Sequence, residues 1–212
     1  MNLITTISSA QEFLRTFAQE RAWTDFPNVD KIDHLQEELG EIFSLFQGYE
    51  STEEILTAKK EELTDGIGDF YFGMCRLSNQ LQVYLQEAFE TVANKEYGSL
   101  QYNSTIRSSQ QYIRAHDIAV IGGIERVLLR NFGLVHTSLS ELSKPMRYQE
   151  REHREAIVAE KHAEYVANIG TLYVNTCRLA NTLNIDVQDA FNIVCERIVR
   201  KYKPGMSECK PS

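Results

Sequence analysis

Residues 34–43, HLQEELGEIF, place Glu37, Glu38 and Glu41 within one and a half helical turns, beside an apolar stripe. Positions three and four apart share a helix face, so Glu38 and Glu41 project together, with Glu37 at the edge of that face. A second acidic series, Glu62, Asp65 and Asp69, falls at intervals of three and four within EELTDGIGDFYFGMCRL (61–77). At 100° per residue these three lie within about 60° of one another, on a stripe that Gly73 and Arg76 continue. Ile67, Phe70, Tyr71, Met74, Leu77 and Leu81 surround that stripe with apolar surface. The helix is therefore expected to be buried and its acids at best partly exposed. Carboxylates held about 4 Å apart repel by about 1 kcal/mol in water and about 4 kcal/mol at an effective dielectric of 20, so one must protonate or a cation must bind. An all-oxygen set without His or Cys suits Mg²⁺, or else Mn²⁺. Glu38, Glu41, Glu62, Asp65 and Asp69 are the expected ligands.

The rest of the composition limits what such a site serves. A formal net charge of −8 over 212 residues, with no basic stripe, argues against a chain that grips a nucleic-acid polymer. An anionic ligand would have to arrive with its own cation or meet a very local basic group. No apolar run approaches the roughly 18 residues of a membrane span. The first residues, MNLITTISSAQEF, lack the basic start and apolar centre of a secretory signal. The four cysteines show no metal-ligand spacing, and Cys75 and Cys177 fall in apolar helical stretches, where cysteine acts as a small hydrophobe. A cytoplasmic, reducing location is expected.

The acids must be positioned by helices. Prolines occur only at 27, 145, 204 and 211, and apolar residues between them recur every three or four positions. This pattern predicts an all-α chain, with helices at about 8–22, 29–48, 53–81, 84–97, 106–131, 134–144, 150–183 and 186–202. Residues 67–93, IGDFYFGMCRLSNQLQVYLQEAFETVA, align without a gap over 169–195, IGTLYVNTCRLANTLNIDVQDAFNIVC, with 12 of 27 positions identical at an offset of 102. A weaker match sets EELGEI (37–42) over TSLSEL (137–142) at an offset of 100. One helical unit is thus written twice, over 1–98 and 99–212, with the polar stretch EYGSLQYNSTIRSS (96–109) at the join and KPGMSECKPS (203–212) as a tail. The buried-looking helices 62–81 and 164–183 are expected to pack on each other as a pseudo-dimeric bundle, which further self-association could extend.

The copies differ at the acids. Glu37, Glu38, Asp65 and Asp69 become Thr137, Ser138, Ala167 and Thr171, whereas Glu41 and Glu62 keep counterparts in Glu141 and Glu164. Acids required for folding should have survived in both copies, so the contrast assigns them a function in the first. Arg76 persists as Arg178 where the acids are lost, which favours a structural role at least as strongly as phosphate binding.

FAQERAWTDFP, LQEELGEIFSLFQ and EELTDGIGDFYF together resemble the all-α nucleoside triphosphate pyrophosphohydrolases, the MazG-like group that includes dCTP pyrophosphatases and dimeric dUTPases. The likeness covers mainly residues 13–97. It implies E-x-x-E and E-x-x-D pairs that bind Mg²⁺ on a nucleoside triphosphate, most nearly a pyrimidine dNTP, which water splits into monophosphate and pyrophosphate. Glu38 and Glu41 match the first pair. Glu62 and Asp65 match the second directly, whereas aligning back from RLSNQL puts its aspartate at Asp69 and Gly66 where its glutamate would be. Glu41 is the expected water-activating residue. The resemblance also implies phosphate contacts for Asn94 and Lys95 in ANKEY (93–97), with Arg76 as a further candidate. Trp23 stands where the family approaches the base, though a staple closing the first helix would explain it equally. Two rival readings are a non-catalytic helical nucleotide- or protein-binding protein and a ferritin-like di-metal bundle. The latter would need paired E-x-x-H motifs, of which one is present, Glu150 to His153.

Overall fold

The computed structural model describes residues 3–23, 29–48, 51–98, 103–117, 124–147, 150 and 153–204. These residues are helical: α1 Ile7–Gln19, α2 Val29–Ser44, α3 Thr52–Ala58, α4 Lys60–Gln80, α5 Leu85–Tyr97, α6 Ile106–His116, α7 Ile124–Ser143, α8 Arg154–Glu160, α9 His162–Thr182 and α10 Val187–Lys201, with a 3₁₀ turn over Lys144–Met146. The protein is all-α, and no helix among the described residues is long and apolar enough to cross a membrane.

Three boundaries differ from those expected. The stretches 53–81 and 150–183 are each two helices, broken at Lys59 and Lys161, where neither Gly nor Pro marks the place. Each break residue closes one helix and opens the next: Lys59 N–H donates to Ile55 C=O at 2.8 Å, and Lys59 C=O accepts from Leu63 N–H at 2.9 Å. Conversely, the chain does not break at 132–133, since α7 runs through Gly133, whose missing side chain leaves only open space. The middle of the expected helix 106–131 lies partly outside the described residues, as do part of the join and most of the tail.

The repeat reaches the first helix of each half. TISSAQ (6–11) corresponds to TIRSSQ (105–110), at an offset of 99 that comparison at 100 or 102 passes over. Both begin with a capping box, Thr6 with Ser9 and Thr105 with Ser108, which satisfies backbone donors that a helix start leaves open. Gln11 then donates to Val83 C=O at 2.7 Å and accepts from Leu85 N–H at 2.9 Å. Gln110 does the same with Ile185 C=O at 2.6 Å and Val187 N–H at 2.9 Å. A buried glutamine thus fixes the turn between the two long helices of each half.

Beyond those turns the final helices change sides. Helix α5 packs along α9, and α10 packs along α4. Glycine permits the close approach: a Cβ on Gly68 would lie 2.5 Å from Ala190 C=O, and one on Gly170 would strike Ala88 C=O. Helices α4 and α9 meet at Tyr71 and Tyr173, ring centroids 5.9 Å apart. Phe191 packs edge-on to Tyr71 at 5.1 Å and Phe89 against Tyr173 at 5.0 Å. So α4 and α9 meet only locally, and along their length, where packing on each other was expected, α4 is covered by α10 and α9 by α5. The resulting core is continuous from Ile4 to Cys195.

Candidate functional site

The acidic residues of α2 and α4 meet because α4 is thin where α2 crosses it. A Cβ on Gly73 would lie 2.7 Å from Leu35 Cδ2, and one on Gly66 2.7 Å from Ile42 Cγ1. Asp69 stands between those glycines on one α4 face, and Glu38 stands between Leu35 and Ile42 on α2. Their side chains are 24% and 16% exposed. Asp65, one turn before Asp69, is half-exposed, and Glu41 lies on the surface end of the same α2 face.

Arg197 of α10 enters this cluster. One of its terminal nitrogens donates to both carboxylate oxygens of Asp69 at 2.6 Å, and the other is hydrogen-bonded to Asp65. His34, one turn before Glu38 on α2, brings its Nε2 to 3.4 Å from Glu38 Oε1. Among the described residues, Glu38, Glu41, Asp65 and Asp69 are grouped around Arg197 and His34, more carboxylates than cationic side chains. Burial, reinforced by the charges of Asp69, Glu41 and Asp65 and opposed by Arg197, raises the Glu38 carboxyl to about 7. Asp69 is also raised, because burial outweighs the arginine bonded to it.

The remaining expected residues lie elsewhere. Glu62 pairs with Lys59 at 2.8 Å, which holds its carboxyl below the usual range. Glu62 and Asp65 border an open cleft of about 1070 Å³ between the start of α4 and Ile193 of α10. Trp23 is 7% exposed, with Phe17 and Tyr202 edge-on at 5.2 and 5.3 Å and the Arg76 guanidinium 4.6 Å from its ring centre. A base could stack there only after one of these neighbours moved. Arg76 is buried beside Trp23. Its counterpart Arg178 binds Asp117 and Glu96, each at 2.9 Å, and Tyr97 Oη at 2.6 Å, and so ties α9 to α5. Asn94 and Lys95 are exposed on α5, the helix that packs on α9. Glu150 and His153 are exposed before α8.

Sequence reasoning missed Arg197. At the repeat's offset of 102, Arg197 is the counterpart of Lys95, two positions beyond the aligned segment. Its helix register was therefore readable. What the sequence concealed is the exchange of α5 and α10, which delivers the second half's basic residue to the first half's acids.

At the equivalents of Glu38, Asp65 and Asp69 the second half is neutral, and Glu141, the counterpart of Glu41, pairs with Lys144. Ser138 and Asn175 replace Glu38 and Gly73, and Asn175 Nδ2 donates to Ser138 Oγ at 3.0 Å. Thr171, in place of Asp69, bonds back to Ala167 C=O at 2.8 Å. Two neutral side chains thus satisfy each other where the first half concentrates charge.

The donor chemistry at Glu38, Glu41, Asp65 and Asp69 fits a hard divalent cation. As they stand, Asp65 and Asp69 face Arg197, and among the described residues no group of three or more His, Cys, Asp or Glu side chains is gathered as closely as a cation requires. Neither a protein-family model, nor a curated protein, nor a solved structure matches the chain.

Proposed function

We propose that the protein is a Mg²⁺-dependent nucleoside triphosphate pyrophosphohydrolase of the reducing cytoplasm, acting on a pyrimidine deoxynucleotide. The observation that carries this reading is the partly buried, over-charged cluster of Glu38, Asp65 and Asp69, whose counterparts in the second half are the neutral Ser138, Ala167 and Thr171, with Ser138 bonded to Asn175. Charge kept against its own repulsion in one copy and discarded in the other is more economically explained by a ligand than by folding.

In this reading Glu38, Asp65 and Asp69 hold the cation, which when bound polarises the phosphate oxygens and neutralises their charge. Glu41, one turn along α2 from Glu38 and open to solvent, orients the attacking water and takes its proton. The cleft beside Asp65 lies at the upper end of the size range of small-molecule sites. The two halves act as an internal pseudo-dimer: the first supplies acids, and the second supplies α10 with Arg197. The interactions of Gln11 and Gln110, and of Gly68 and Gly170, support that pairing because they recur at matching positions.

A second reading draws on Arg197 itself. An arginine that joins α10 to α4 through two aspartates could be purely structural, in a protein that binds a partner without catalysis. The discriminating experiment is a panel of ribo- and deoxynucleoside triphosphates with Mg²⁺ or EDTA, scored for pyrophosphate and monophosphate. Pyrophosphate from dCTP or dUTP in Mg²⁺ alone supports the enzyme. Inorganic phosphate as the product, or no turnover and no nucleotide binding across the panel, overturns it.

A further inference from the structure

Arg197 occupies the two aspartates on which the proposed function depends. Its side chain is 43% exposed, at the edge of the cluster rather than sealed in it. Arg197 also lines an open pocket of about 490 Å³ on α10 with Ile193, Glu196, Arg200 and Lys201, so the arginine side chain has room to swing out. Held as it is, Arg197 supplies the positive charge that Asp65 and Asp69 lack. A divalent cation at those oxygens would repel it and compete for the same lone pairs.

We propose that Arg197 is a built-in counter-cation that excludes free divalent metal from Asp65 and Asp69, and that metal enters only in exchange for a phosphate group that takes the arginine over. This inference rests on the reading of the acids as a metal site. Metal alone must break both ion pairs, with their three hydrogen bonds, and leave a guanidinium beside a new positive charge. A metal–triphosphate presents a cation to the aspartates and an anion to the arginine, so both are re-paired in one step. Metal and triphosphate are then positively coupled through Arg197, and the coupling is reciprocal by thermodynamic necessity. Because Arg197 belongs to the second half, that half controls occupancy of a site whose ligands it does not carry.

The test uses the full-length chain, with Mn²⁺ binding followed by electron paramagnetic resonance in the absence of nucleotide. Arg197→Met is expected to bind Mn²⁺ at least tenfold tighter than the unmodified chain. The same variant, titrated by calorimetry with α,β-imido-dUTP at saturating Mn²⁺, is expected to bind the analogue at least tenfold more weakly. Opposite changes from one substitution are not what a loosened fold produces, since misfolding weakens both. Arg197→Lys, which keeps the charge but replaces the planar fork that spans the two aspartates with a single nitrogen, should fall between the two chains in both titrations. Equal Mn²⁺ affinity in the unmodified and Arg197→Met chains overturns the exchange while leaving the metal site standing. No Mn²⁺ bound by any chain, with or without analogue, overturns the metal site and the exchange together.

Discussion

Replacing Glu38 with Gln should stabilise the metal-free protein, and only above the pH at which the carboxylate forms. Glu38 titrates near 7 in the folded chain, against 4.5 for an unperturbed glutamate. A folded state that holds a proton more tightly than the unfolded state is favoured by acid. Stability therefore falls as pH rises from about 4.5, and the loss is complete above about 7. Each tenfold of proton affinity is worth about 1.4 kcal/mol, so two and a half decades amount to about 3 kcal/mol. Little discount for solvent applies, because the side chain is 16% exposed. Glutamine keeps the shape and cannot ionise. In urea titrations with EDTA, Glu38→Gln and the unmodified chain should differ little at pH 4.5, and the variant should be more stable by about 3 kcal/mol at pH 8. Asp69 is raised as well, so the unmodified chain should fall more steeply with pH than Glu38 alone requires. A variant less stable than its parent at pH 8, or a difference independent of pH, would refute the over-charged cluster.

Further outcomes are specific to individual residues. Asp69→Asn should abolish pyrophosphate release by at least a hundredfold while the fold survives by circular dichroism, whereas Glu164→Ala, in the half without the other acids, should leave turnover unchanged. Gly68→Ala sets a Cβ 2.5 Å from Ala190 C=O and should cost about 2–3 kcal/mol by urea denaturation. Gly133→Ala, with open space around it in the interior of α7, should gain up to about 1 kcal/mol in the same assay. Residues 1–98 alone leave α4 without α10 and α5 without α9, and should aggregate or self-associate by sedimentation. Adding residues 99–212 should return a soluble 1:1 complex, and a stable monomeric first half would contradict the packing.

Helix type was legible because apolar spacing persists over long stretches, and the repeat was legible because α4–α5 and α9–α10 keep their packing residues. The breaks at Lys59 and Lys161 were not, since no Gly or Pro announces them and both sides continue one apolar period. Glu38 lies near Asp65 and Asp69 because Gly66 and Gly73 thin α4 beneath α2, an approach between two helices that spacing along either one does not encode. Glu62 did not join them, for Lys59 lies within reach on the adjoining turn. Lys95 and Arg197 could not be told apart by sequence, because the helix that faces each of them is settled only by tertiary packing.

The crossing of α5 and α10 also sets an order of events during synthesis. Helix α4 leaves the ribosome more than a hundred residues before α10, the helix that covers it. Over that interval α4 exposes an apolar face and its aspartates lack Arg197. The nascent first half must wait or borrow a temporary cover, and pairing over so long a separation is slow relative to helix formation. A ribosome paused within the second half would hold the acids of the site without the arginine that balances them. Competence to bind metal and triphosphate together would then appear abruptly, on completion of one late helix, rather than accumulating as the chain grows.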